Sequence, residues 1–73
     1  MNDVIKVLFD EIVNILDGYR YYSKEEVKEN ERLFTEAIIE KDVEYINDVK
    51  ALFDSEIEEE KEILNRIDEL MNR

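Results

Sequence analysis

The side chains of this sequence that could do chemistry are mainly carboxylates, because the chain has no histidine and no cysteine. Without imidazole or thiol groups, a Ser-His-Asp or Cys-His nucleophile is excluded, and so is a zinc site built from those ligands. Ser23 and Ser55 are each followed three residues later by a glutamate, which is the spacing of a capping box at a helix start. We therefore assign both serines to helix capping and predict no catalytic residue, no bound metal and no cofactor.

Closely spaced glutamates can still hold Mg²⁺, and the run EEVKE at residues 25–29 is the best candidate for such a site. This run resembles the EExxE half of the metal motif in MazG-type nucleotide pyrophosphohydrolases, which are all-helical enzymes. The resemblance covers five residues and implies metal-dependent hydrolysis of nucleotides. The ExxD half has no match, and the nearest substitutes are Glu56 with Glu59 and Glu59 with Glu62. This enzyme is the third of our functional hypotheses.

A second carboxylate pattern is a row of acids at four-residue intervals, formed by Asp54, Glu58 and Glu62. On one helix these residues would stand roughly 6 Å apart along the axis, similar to a line of phosphates. Proteins that imitate DNA present carboxylates in this way, so the row is a candidate surface for binding a basic partner. The alternative is a solvated helix face without a partner.

The run Tyr19-Arg20-Tyr21-Tyr22 is the other candidate binding feature. Tyrosine and arginine are enriched at the energetic centres of protein interfaces, since they combine a large contact area with a polar group. We therefore include Tyr19, Tyr21 and Tyr22 among the candidate partner-binding residues. The alternative is that one or two of them close the end of a helical bundle with their hydroxyls in water.

The charge of the chain indicates which partners it can have. Its 21 acidic and 10 basic residues give a formal net charge of -11. Such a surface repels nucleic acid and anionic lipid, so we expect no direct binding to either, whereas basic proteins are attracted in a salt-dependent way. The alternative is that the charge serves solubility only.

The elements that position these side chains are predicted to be helices, because the chain has no proline and one glycine. A first helix begins at Asn2 or Asp3 and runs to about Leu16, with an apolar arc about half its circumference wide. Gly18 is expected to end it in the left-handed conformation, with continuation of the helical pattern through Tyr19 to Tyr22 as the alternative. Ser23 begins the second helix.

A turn is predicted near Lys41 and Asp42, although one continuous helix through this point is an alternative. From Val43 to the C-terminus the apolar periodicity predicts a third helix of about 45 Å. Because Ser55 and Glu58 repeat the capping-box spacing, the alternative is a break at Asp54 or Ser55.

These elements predict an all-α fold with one domain over residues 1–73. It is a small three-helix bundle, with four helices as an alternative, or a helical hairpin with a long C-terminal helix. Leu8, Phe34, Phe53 and Leu64 are expected in the core. The wide apolar arc of the first helix and the length of the third predict a homodimer. We expect a cytoplasmic protein, since no signal peptide or membrane span is evident.

The sequence therefore predicts a non-enzymatic protein–protein interaction module. Its sharper form is an acidic, DNA-mimic-like inhibitor or regulator that docks on a basic surface of a nucleic-acid-binding protein. The alternative is a self-associating structural or adaptor bundle whose charge only keeps it in solution.

Overall fold

The computed structural model describes residues 2–73 and shows five α-helices in that part of the chain. They are α1 (Asn2–Ile15), α2 (Gly18–Tyr21), α3 (Lys24–Glu40), α4 (Val43–Lys50) and α5 (Glu58–Met71). Residues 2–73 contain no strand, so the predicted all-α class is confirmed. None of these helices combines the length and the apolar character needed to cross a membrane.

The first helix buries the face that its apolar spacing predicts. Ile5, Leu8 and Ile12 recur at intervals of three and four residues, and all three are buried. The apolar arc is narrower than the sequence suggests, because Val7 is exposed. Phe9 and Val13 widen the buried face on one side only.

The junction between α1 and α2 differs from the predicted glycine cap. Asp17, not Gly18, adopts the left-handed conformation, with a φ of 59°. Gly18 is buried and begins α2, where a Cβ atom would lie 2.8 Å from the Cγ1 of Val13. The glycine is therefore required by close packing of the two helices.

Replacing Gly18 by alanine should destabilise the protein by about 1–2 kcal/mol. The overlap with the stiff, β-branched Val13 outweighs the better helix propensity of alanine, which is about 0.5–1 kcal/mol. Urea unfolding of Gly18→Ala, Val13→Ala and the double variant measures the coupling between the two positions. The loss from Gly18→Ala should shrink when Val13 is alanine, and an equal loss in both backgrounds would contradict this explanation.

The predicted capping box at the start of α3 is confirmed. The Ser23 Oγ accepts a hydrogen bond from the Glu26 N–H at 3.1 Å, and the Glu26 carboxylate accepts one from the Ser23 N–H at 3.1 Å. Both bonds satisfy amides that the first turn of a helix leaves without a partner.

The predicted turn at Lys41 and Asp42 is also confirmed. Lys41 ends α3 in the left-handed conformation, and the Asp42 carboxylate accepts a hydrogen bond from the Tyr45 N–H at 3.2 Å to begin α4. The Lys41 Nζ donates to the Leu70 carbonyl at 2.6 Å, so the C-terminal ends of α3 and α5 are tied together.

The predicted long third helix is wrong and the alternative of a break at Asp54 or Ser55 is confirmed, because residues 51–57 separate α4 from α5. The Asp54 carboxylate accepts a hydrogen bond from the Glu56 N–H at 2.9 Å, and the Asp54 N–H donates to the Glu60 carboxylate at 3.1 Å. Side chains thus take the backbone donors that a continuous helix would use. The capping box predicted at Ser55 is wrong too, since Ile57 occupies the N-cap of α5 without a side-chain hydrogen bond.

The core is a single cluster to which four of the helices and Phe53 contribute. Leu8, Phe34 and Phe53 are buried as predicted, whereas Leu64 is only partly buried against the cluster. The rings of Phe9 and Phe34 pack with their centroids 5.8 Å apart. Because α5 folds back on this core, the radius of gyration is 11.6 Å and no long helix overhangs the bundle. The argument for a dimer from helix length therefore no longer applies.

Candidate functional site

The predicted acidic row does not lie on one helix. Asp54 belongs to the turn before α5, where its carboxylate caps the Glu56 N–H, while Glu58 and Glu62 stand four residues apart on α5. All three residues are exposed. The row is shortened because the chain turns at Asp54, so a regular line of three carboxylates along one helix is absent.

The same residues belong to a larger run of acids, which we call the acidic segment and define as residues 54–62. It contains six acidic residues and one lysine, a formal charge of -5. Among the described residues, none of these six acids forms an ion pair. Glu58, Glu59 and Glu60 occupy the first turn of α5, where negative charge offsets the helix dipole. That role accounts for three of the six acids.

The three tyrosines predicted as binding residues are all exposed, and α2 positions them. The Tyr19 hydroxyl donates to the Asp10 carboxylate at 3.0 Å, and this hydrogen bond raises the pKa of Tyr19. The guanidinium of Arg20 lies 5.6 Å from the ring centroid of Tyr21. Tyr22 ends the helix and borders an apolar groove, which distinguishes it from the other two.

This apolar groove, of about 230 Å³, opens between α1, α2, α3 and α4. Its floor is formed by buried core residues of α1 and α3, Phe34 among them. Its walls are uncharged side chains from four different parts of the chain: Leu16, Tyr22, Val27, Asn30, Tyr45, Val49 and Leu52. Leu16, Tyr22 and Leu52 are exposed although they are large and apolar. The groove is therefore an extension of the core that the chain itself leaves uncovered.

One face of α4 packs against the core, and the edge of that face borders the groove. Ile46 is buried in the core, whereas Tyr45 and Val49 are half-buried and line the groove. Partial burial raises the pKa of the Tyr45 hydroxyl, since the groove removes water from its ionised form. The wall that α4 contributes is therefore apolar except for the hydroxyl of Tyr45.

Negative charge flanks this groove. Five exposed acids directly precede or follow groove residues in the chain: Asp17, Glu26, Glu29, Glu44 and Asp48. Arg20 is the nearest cation to Asp17, and their charged groups are 3.9 Å apart. The acidic segment begins two residues after Leu52.

Two lysines, Lys28 and Lys50, also adjoin groove residues in the chain. The Lys50 Nζ donates to the carboxylate of Asp68 on α5 at 2.6 Å. Lys28 instead lines a second groove, of about 470 Å³, between α1 and α3. That groove also holds Lys6, Lys24 and two acids, so its charge is nearly balanced.

Two of the three glutamates of the MazG-like run are engaged in local contacts. Glu26 completes the capping box, and Glu29 pairs with Arg32 on the next turn of α3. The hydrogen bond from Arg32 lowers the pKa of the Glu29 carboxyl. Within residues 2–73 no three potential acidic ligands are grouped closely enough to hold a metal ion.

Sequence reasoning located the acids and the tyrosines but missed the groove. Its walls combine side chains at the edges of the apolar stripes of separate helices. No protein family, curated protein or solved structure was found to match this chain.

Proposed function

We propose that this protein is a non-enzymatic interaction module that binds a basic segment of another protein. The observation that carries the proposal is an uncharged apolar groove in a chain with a net charge of -11. Apolar burial supplies affinity, while the acidic surface attracts a basic partner and accelerates the encounter.

A nucleic-acid-binding protein is a suitable partner class, because such proteins carry dense lysine and arginine surfaces. The acidic segment supports this choice through its formal charge of -5 and its exposed carboxylates. Blocking such a surface would make the protein an inhibitor or regulator of its partner. The irregular positions of Asp54, Glu58 and Glu62 favour general charge complementarity over imitation of a regular DNA backbone.

Removing three charges from the acidic segment should slow association with a basic partner without unfolding the protein. In the variant Asp54→Asn/Glu58→Gln/Glu62→Gln we expect an on-rate about three- to tenfold lower at low salt and a flatter salt dependence. Each exposed substitution should change stability by less than about 0.5 kcal/mol. A lysine–leucine amphipathic peptide serves as the probe, with surface-based kinetics at two salt concentrations and circular dichroism for folding.

The matched control is Asp3→Asn/Glu40→Gln/Glu69→Gln, which removes the same charge from exposed positions outside the acidic segment. It should slow association less. Equal on-rates for the two triple variants would show that only the total charge matters, which would contradict a role for the acidic segment as a binding surface.

A self-associating bundle is the second candidate, and exposed apolar side chains outside the groove favour it. Val4 and Val7 on α1 and Ile39 on α3 are exposed. A second copy of the chain could cover them, as the predicted dimer requires. A dimeric mass in light scattering, together with no binding of the basic peptide, would favour this candidate.

A further inference from the structure

We infer that the apolar groove is the docking site for one basic amphipathic helix of a partner protein. This inference rests on the proposed function and adds the position of the site and the form of the segment that it accepts. It depends on the apolar walls of the groove, on the few polar groups that line it and on the charges beside it.

The walls are suited to apolar anchor residues. Leu16, Tyr22 and Leu52 stand exposed around a floor of buried core side chains. A large apolar side chain that enters the space of about 230 Å³ would contact this floor and cover the exposed walls. In protein interfaces, a few well-packed and desolvated residues carry most of the binding energy, and tyrosine is enriched among them.

The occupant is a helix because the groove cannot satisfy an extended backbone. The described residues contain no strand and hence no sheet edge that could pair with one. The polar side chains that line the groove are Asn30, Tyr22 and Tyr45. A helix satisfies its own backbone hydrogen bonds and can present apolar residues at positions i, i+3, i+4 and i+7 to the groove.

The helix is basic because the chain has a net charge of -11 and acids outnumber lysines among the chain neighbours of the groove residues. No charged residue lines the groove. Its residues have two lysines, Lys28 and Lys50, and five exposed acids as chain neighbours: Asp17, Glu26, Glu29, Glu44 and Asp48. Lysines on the polar face of a docked helix would meet these acids. A second copy of this chain would instead bring two acidic surfaces together, each belonging to a chain with a net charge of -11.

A matched pair of exposed apolar residues tests the site. Leu52 is 59% exposed and lines the groove, whereas Ile39 is 56% exposed and lies outside it. We expect Leu52→Gln to weaken binding of a fluorescent lysine–leucine amphipathic peptide about five- to tenfold, and Ile39→Gln to leave it unchanged. Fluorescence anisotropy gives the affinities, and chemical-shift mapping should place the peptide at Val27, Tyr45 and Val49.

A second peptide, with glutamate in place of every lysine, separates the inference from the proposed function. Tight, salt-dependent binding of the basic peptide to both variants alike would overturn the groove as the site and leave the proposed function standing. Equal binding of the acidic peptide, or no binding of the basic one, would overturn both. A dimer of the free chain that Leu52→Gln dissociates would show that the groove holds a second copy.

Discussion

Replacing Phe34 by alanine should lower the free energy of unfolding by about 3–5 kcal/mol. Phe34 is 2% exposed and packs against Phe9, so the substitution removes a ring from the centre of the cluster and leaves a cavity. A chain of this length has a total stability of roughly 4–11 kcal/mol. The loss is therefore a large fraction of the total stability of the protein.

Urea unfolding followed by circular dichroism measures this loss, and Ile39→Ala on the same helix is the control. Ile39 is exposed, so its truncation should cost less than about 0.5 kcal/mol. Similar losses for the two variants would mean that α3 turns a different face to the core. Phe34 also forms part of the groove floor, so folded Phe34→Ala protein should bind the lysine–leucine peptide more weakly.

The parts of the fold that could be predicted from sequence are those that depend on neighbouring residues. The capping box at Ser23 and Glu26 and the turn at Lys41 and Asp42 use side chains and backbone atoms within a few residues of one another. The buried face of α1 follows from apolar spacing along one helix. Such features depend on residues that are close together in the chain, and not on contacts with distant segments.

The position of the glycine could not be predicted in the same way. Gly18 is the only glycine and follows the first apolar stripe, which is the usual place of a left-handed cap. Its actual role depends on how closely α2 approaches Val13, and that distance is set by tertiary packing. Asp17 adopts the left-handed conformation instead. Aspartate adopts this conformation more readily than most residue types do.

The candidate site was predictable only in part for a related reason. Acids and tyrosines are visible in the sequence, because exposed charge and aromatic side chains are properties of single residues. The groove joins Leu16, Val27, Tyr45 and Leu52, which lie on different elements. Periodicity shows which face of a helix is apolar, but the angles between helices decide which edge of that face stays open.

The break between α4 and α5 is the largest departure from the sequence expectation, and one pair of residues tests it. Phe53 and Ile57 are four residues apart, so a continuous helix would turn both toward the same apolar surface. In the structure Phe53 is 9% exposed and belongs to the core, whereas Ile57 is 48% exposed at the start of α5. The turn at Asp54 separates the two environments.

We therefore expect unequal effects of truncation at these positions. Phe53→Ala should lower the free energy of unfolding by about 3–5 kcal/mol, because a buried ring is lost. Ile57→Ala should cost about 1 kcal/mol or less, because much of its side chain already faces water. Urea unfolding gives both values, and circular dichroism of the native variants shows whether helix content is retained.

Comparable losses for Phe53→Ala and Ile57→Ala would contradict the break and favour the long helix. That result would also remove the groove, because its wall at Leu52 depends on the chain leaving α4 at this point. It would restore the argument for a dimer, since a helix of about 45 Å needs a second chain to cover its apolar face. The two truncations thus test the break between α4 and α5, on which the open groove at Leu52 depends.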